Sequence, residues 1–297
     1  MTDVTAPPPP SPPPPSTPPP STPLPAAPLR CPHCHQALRR EGRTWGCADG
    51  HRFDVARQGY VNLLVGHRRP TGDTPEMVAD RQTALGAGHL DVVTDALVRA
   101  CDDLPAGILV EAGAGTAHHL VAVREALGER AAVAMDVSVP AVRRAARADA
   151  GHTTAIVADV WQPWPLQDAV AAAVLTVFAP RNAQEAARVL VPGGRLVVVT
   201  PAADHLAQLR APLGLLGLEP GKQERLHAEL DPHLDHLDTR EVRAGVAVDR
   251  DGAAALAGMG PAGHHLDVEE RHRRAAALPD RMDVTIAVHV TRFARRR

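Results

Sequence analysis

The sequence predicts an α/β chain, a doubly wound parallel-sheet domain preceded by a small module built around a metal ion. Three observations predict it. Five short apolar runs alternate with Ala/Arg-rich stretches between residues 107 and 200. Three of the four cysteines and a histidine crowd into residues 31–51. Three acids, Glu111, Asp136 and Asp159, each stand at or near the end of an apolar run. Continuous apolar runs of this length suit strands covered on both faces, as in a parallel sheet between helices.

Residues 1–28 hold fourteen of the 29 prolines. A segment so poor in backbone donors forms no ladder and has no apolar face, so a solvated polyproline-II tail is expected. It lacks the basic and apolar regions of a signal peptide, and no apolar run in the chain approaches the roughly 20 residues that span a bilayer. The cysteines are not spaced as a disulfide framework. The expectation is a cytoplasmic protein with no membrane partner.

Residues 29–70 form the metal module. Cys31, Cys34, Cys47 and His51 read C-x2-C-x12-C-x3-H; two ligands on a tight turn and two after a loop complete a tetrahedron, the closed geometry of structural zinc. Thiolates and imidazole favour zinc over magnesium or calcium. A module of this size with few large apolar residues needs such a staple to fold. His33 and His35, beside the knuckle, are expected to be exposed. Between Arg30 and Pro70 stand eight arginines against three acids, a local charge of +5 in a chain whose net charge is −2. Arg39, Arg40 and Arg43 offer guanidinium groups for phosphates and Trp45 a ring for stacking on a base, which points to RNA recognition.

Residues 71–106 read as a helical linker or lid, and residues 107–297 as the main domain. Strands are expected at 108–113, 131–136, 154–159, 169–177 and 194–200, with helical patterns at 118–128, 140–150 and 183–194. Two later strand-like runs, 240–250 and 283–292, are expected to pair at the sheet edge, the last as an antiparallel edge strand. In such sheets ligands sit beyond the carboxyl ends of the strands. The first loop reads Glu111-Ala112-Gly113-Ala114-Gly115-Thr116; its glycines permit close backbone approach, and Glu111 is a carboxylate for an ammonium group. Asp136 is placed to hold ribose hydroxyls and Asp159 an adenine amino group. A pyrophosphate binder needs a third glycine where this chain has His118 and His119. S-adenosylmethionine, with its ammonium, ribose and adenine, fits the three acids in order.

The clip followed by "HRFDVARQGYVNLL", "GDTPEMVADRQTALGAGHL", "EAGAGT", "VFAPRN" and "TPAADHLAQL" resembles the bacterial 23S rRNA guanine-N1 methyltransferases of the RlmA family, nearest its Gram-positive branch, which includes tylosin-resistance methyltransferases. The resemblance covers residues 30 to about 295. It implies a zinc-binding RNA-recognition module joined to a Rossmann-like, class I S-adenosylmethionine-dependent methyltransferase domain acting on one guanine of a 23S rRNA hairpin loop. It also implies macrolide resistance as a biological role. The zinc ligands would be Cys31, Cys34, Cys47 and His51. Cofactor contacts would fall at Gly115, Thr116, His205 and Leu90, the last replacing the family's usual aromatic; Glu111 stands where the family more often has Asp. Met77, Arg81 and His89 become candidate lids.

Methylation of guanine N1 requires alignment with the methyl carbon and loss of the N1 proton. After the fourth strand the chain reads Val177-Phe178-Ala179-Pro180, without the polar residue and paired prolines that grip exocyclic amines, which favours a ring nitrogen. Phe178 is the candidate for stacking on a flipped guanine, or else a core residue at a strand end. No general base is assigned. Two other readings stand beside this one: a small-molecule methyltransferase with a purely structural zinc module, and a catalytically inert RNA-binding protein. The +5 cluster on the clip speaks against the first and the intact cofactor loop against the second. A homodimer would suit an RNA wider than one subunit.

Overall fold

The computed structural model describes residues 27–66, 71–128, 130–215, 217 and 221–296. The expected proline tail therefore lies outside the described residues except for its last two. Those two belong to the fold: Ala27 is buried, and the Pro28 carbonyl accepts from Gln167 N–H at 3.0 Å. The module contains β1 (Arg39–Glu41), β2 (Thr44–Gly46), β3 (Arg52–Asp54) and β4 (Val61–Asn62). There follow α1 (Pro75–Gly86), α2 (Asp91–Ala100), β5 (Ile108–Ala112), α3 (His118–Ala126), β6 (Ala132–Asp136), α4 (Val139–Ala148) and β7 (Thr153–Val157). The remainder comprises β8 (Ala171–Val177), α5 (Ala183–Val189), β9 (Leu190–Pro201), α6 (Ala207–Leu213), α7 (Lys222–Leu230), β10 (Leu234–Asp249), α8 (Arg250–Gly258), α9 (Val268–Ala275) and β11 (Arg281–Arg295).

Helix starts follow local chemistry. Thr74, Ser138, Asn182, Asp249 and Asp267 each accept from a first-turn amide of the helix they precede, and Pro75 and Pro140 sit in first turns where no intrahelical N–H is needed. The main sheet runs β10-β11-β9-β8-β5-β6-β7-β4 among the described residues. From β9 to β4 every pairing is parallel, while β11 is antiparallel to both β9 and β10. Strand order reverses between β5 and β8, the switch point where doubly wound sheets open a crevice. One expectation is corrected here: the last strand is not the edge. It lies between β9 and β10, and seven of its residues are buried; its alternation reflects one better-covered face, whereas β10 carries the outer, largely exposed edge.

Alternate residues of the strands feed two apolar layers. Leu109, Ala134, Leu175 and Val197 pack with α2, α3, α4 and α8. Ile108, Val110, Met135 and Val174 pack with α5, α7 and the zinc module's Leu29, Leu38, Trp45 and Val55. The module is thus packed into the second layer, and its last strand joins the main sheet. Val61 and Asn62 of β4 pair with Ile156 and Val157 of β7, and Leu29 bridges Leu166. Helices α1 and α2, expected as a linker or lid, supply Val78, Ala84, Leu85, Val93 and Leu97 as buried residues. Among the described residues, no helix is long and apolar enough to cross a membrane.

Candidate functional site

The metal set is assembled by the short antiparallel sheet. Cys47 follows β2 and His51 precedes β3, so the β2–β3 connection returns one pair of donors to the Cys31–Cys34 knuckle. Cys34 and Cys47 Sγ lie 3.5 Å apart, and His51 Nδ1 lies 3.4 Å from Cys47 Sγ and 3.6 Å from Cys31 Sγ. All four donor atoms fall within 4.8 Å of one another. A zinc–sulfur bond of about 2.3 Å gives tetrahedron edges near 3.7 Å, so these residues fit zinc. His33 and His35 are exposed, the former stacked 6.0 Å from Phe53.

The arginines of the module divide. Arg39, Arg40 and Arg43 are exposed on the β1–β2 hairpin, Arg43 also donating to Val55 carbonyl at 3.0 Å. Arg30 instead turns inward, donating to Trp164 carbonyl at 3.1 Å beside Glu185 and Asp168. Trp45 corrects the sequence reading. Its side chain is 2% exposed and lies across from Phe53 in the β2–β3 register, filling the seam between module and sheet, so it presents no ring to a base. The exposed indole is Trp161, 64% accessible, two residues beyond Asp159 on a turn held by Trp161 N–H to Asp159 Oδ1 at 2.9 Å. Sequence reasoning missed it, although its place just past a strand-end acid was a usable signal.

At the switch point the first loop leaves β5 with Gly113 at φ 73° and Gly115 at φ 53°, in the left-handed region where a side chain is strained. A Cβ on Gly113 would overlap that of Ala179. Asp136, ending β6, accepts from Gly115 N–H and Ser138 N–H, each at 2.8 Å. Burial raises its pKa, while those two amides draw it down. Asp159 lies past β7, and Thr116, the last residue of the loop, is buried. A bare backbone turn beside a held carboxylate fits a nucleoside cofactor that approaches the main chain closely.

Glu111 is a second correction. It is 2% exposed, and its Oε2 accepts from Leu120 N–H at 3.2 Å. Helix α3 begins after Ala117, which is left-handed and offers no side-chain cap; Glu111 supplies the missing acceptor from β5 and has no open face for an ammonium group. Burial pushes its pKa up to about 8, against the pull of the Leu120 amide and Arg81. The folded chain therefore holds a proton that the unfolded chain releases near the ordinary value of 4.5, and stability falls as pH rises across that window. Glu111→Gln is expected to flatten the fall; urea melts at pH 5 and pH 8 check it, and an unchanged pH dependence excludes Glu111 as the source.

Leu90 is 3% exposed and packed in the first apolar layer, so neither a ring nor a hydroxyl replaces the aromatic of the resemblance. Of the candidate lids, Met77 and His89 are buried at 1% and 8% and serve packing; Arg81 alone lies against the glycine loop. Phe178 follows β8 directly, at φ 52°, and is 37% exposed, its ring 5.4 Å from that of His205. His205 Nδ1 accepts from Ala287 N–H at 3.3 Å, and burial, aided by Arg210, pushes its pKa down to about 4. The imidazole is thus neutral near pH 7, with its proton on Nε2.

The profile of the RlmA N-terminal zinc ribbon matches residues 29–69. The 23S rRNA (guanine(748)-N(1))-methyltransferase of Streptomyces fradiae is 46% identical over 270 residues, 89% of this chain and 95% of the relative. A Micromonospora griseorubida protein provisionally named a 23S rRNA (guanine-N(1)-)-methyltransferase is 42% identical over 285 residues, 89% of this chain and 96% of the relative. Identity at that level over nearly the whole of both chains means that this protein belongs to the RlmA-type 23S rRNA (guanine-N1)-methyltransferase family.

Proposed function

We propose that the chain transfers a methyl group from S-adenosylmethionine to N1 of a guanine in a 23S rRNA hairpin loop. The observation that carries this reading is the alignment, along the carboxyl ends of adjacent parallel strands, of the Gly113–Gly115 loop, Asp136 and Asp159, with exposed Phe178 on the same edge. When bound, the cofactor supplies a methyl group already activated by a sulfonium. Gly113, Gly115 and Thr116 form its backbone cradle, Asp136 takes the ribose hydroxyls, Asp159 the adenine amino group, and neutral His205 donates from Nε2. Phe178 stacks on the extruded guanine, holding N1 in line with the methyl carbon while the N1 proton passes to solvent water. Zinc in the Cys31, Cys34, Cys47 and His51 set fixes the hairpin that carries Arg39, Arg40 and Arg43 toward RNA phosphates, and Trp161 offers the stacking surface first assigned to Trp45.

The direct test is mass mapping of 23S rRNA after incubation with protein and S-adenosylmethionine; a new methyl group on guanine N1 is expected, with guanine 748, named for the Streptomyces fradiae relative, the first position to inspect. Unmodified rRNA, or a methyl group on an exocyclic amine, sinks the reading. Replacing Arg39, Arg40 and Arg43 by Ala is expected to reduce the slope of log affinity against log salt by about 2 for a single-stranded target, with cofactor affinity unchanged. Trp161→Ala, in the same titration, is expected to weaken RNA binding by roughly tenfold. Cytoplasmic location, a homodimer and tylosin resistance belong to this reading. Sedimentation tests the dimer, and growth inhibition by tylosin with and without the protein tests the resistance.

A further inference from the structure

The cofactor end of the sheet is rich in acids. Asp136 and Asp159 come from the strand ends, and Asp73 is carried in by the segment before α1, where its carbonyl accepts from Ser138 Oγ at 2.7 Å. One guanidinium enters this ground. Arg81, from the second turn of α1, lies across the glycine loop: a Cβ built on Gly115 would stand 3.2 Å from Arg81 Cδ and 3.3 Å from its Nε. It is the arginine whose charge acts on both Glu111 and Asp136.

Its orientation is fixed. Nε and Nη2 donate to Asp73 Oδ2 at 3.2 and 2.7 Å, and Nη2 donates to Met259 carbonyl at 2.9 Å. Asp73 is tied to Ser138, and the Ser138 amide binds the same Asp136 carboxylate that holds Gly115. Arg81, Asp73, Ser138, Asp136 and Gly115 therefore close a ring of contacts around the loop. These bonds use Nε and Nη2; the two Nη1 hydrogens have no protein partner among the described residues, and the side chain stays 21% exposed. A guanidinium serving only to pin α1 has no need to lie over a bare glycine turn with one amino group open.

We propose that Arg81 is a cofactor-binding residue whose Nη1 group receives the α-carboxylate of the amino-acid end of S-adenosylmethionine. The inference rests on the function proposed above. There Asp136 and Asp159 claim the nucleoside end, so the amino-acid end falls to the Gly113–Gly115 loop that Arg81 overlies. The carboxylate is the cofactor's sole anion, and in a pocket of acids it requires a cation. Arg81 thereby makes the site selective for an amino-acid-bearing nucleoside over a bare one.

Calorimetric titration of the full chain with S-adenosylhomocysteine and with 5′-methylthioadenosine, which lacks the amino-acid end, tests this. Arg81→Ala and the hydrogen-bonding but uncharged Arg81→Gln are each expected to lose about 10- to 100-fold in affinity for S-adenosylhomocysteine, the range of a charge-assisted hydrogen bond, while binding methylthioadenosine within twofold of the parent. Equal losses for both nucleosides, or none for either, overturn the inference and leave the cofactor reading standing. If the parent chain binds neither nucleoside, the cofactor reading falls and this inference with it.

Discussion

Asp136→Ala is expected to weaken S-adenosylmethionine binding by about 100-fold or more, since hydrogen bonds to a charged acceptor contribute about 1.5–3 kcal/mol each and the proposed role gives this carboxylate two ribose hydroxyls. The same substitution strips acceptors from Gly115 N–H and Ser138 N–H, both 2.8 Å from Asp136 oxygens. Leaving buried amides unpaired costs about 1–3 kcal/mol each, so the melting temperature falls as well. Asp136→Asn separates the two effects. It keeps one acceptor and the shape of the side chain, so it recovers part of the stability but not the affinity. Calorimetry and thermal melts on the two variants decide the matter; cofactor affinity that survives Asp136→Ala removes Asp136 from the site.

Cys47→Ser is expected to cost the chain its zinc and, with it, methyl transfer to rRNA. Structural zinc supplies about 10–16 kcal/mol to isolated zinc-finger peptides near pH 7, and nothing else in the three short strands compensates for losing a ligand. The damage spreads, because Leu29, Leu38, Trp45 and Val55 of the module belong to the same apolar layer as Val110 and Met135 of the sheet. The global melting transition is therefore expected to shift downward rather than to split into two. Metal content by mass spectrometry and a calorimetric melt check this. A variant that keeps one equivalent of zinc, or that melts as the parent does, excludes Cys47 as a ligand that matters.

Much of this was legible in the residues because the signals were local. The five central strands are uninterrupted apolar runs, and all five form. The metal donors are close in sequence, so spacing alone nominated the four that converge. What escaped was decided by distant partners. Trp45 and Trp161 both have polar residues nearby, and only the docking of the module against the sheet buries one and exposes the other. Glu111 looked free at a strand end because the acceptor-poor start of α3 depends on Ala117 adopting a left-handed conformation. Strand β4 has only Val61 and Asn62, too short for any periodicity. The order of β10 and β11 is likewise a matter of topology, since alternation marks a half-covered face and does not say which strand lies outermost.

That two-residue strand has a consequence for target choice. Because β4 stitches the zinc-bearing head into the catalytic sheet at β7, the span from the hairpin arginines to the strand ends is set by backbone hydrogen bonds instead of a slack tether. On the function proposed above, a protein built this way would work as a caliper: if the hairpin arginines grip RNA phosphates, the nucleotide that enters the site is the one at a set separation from them.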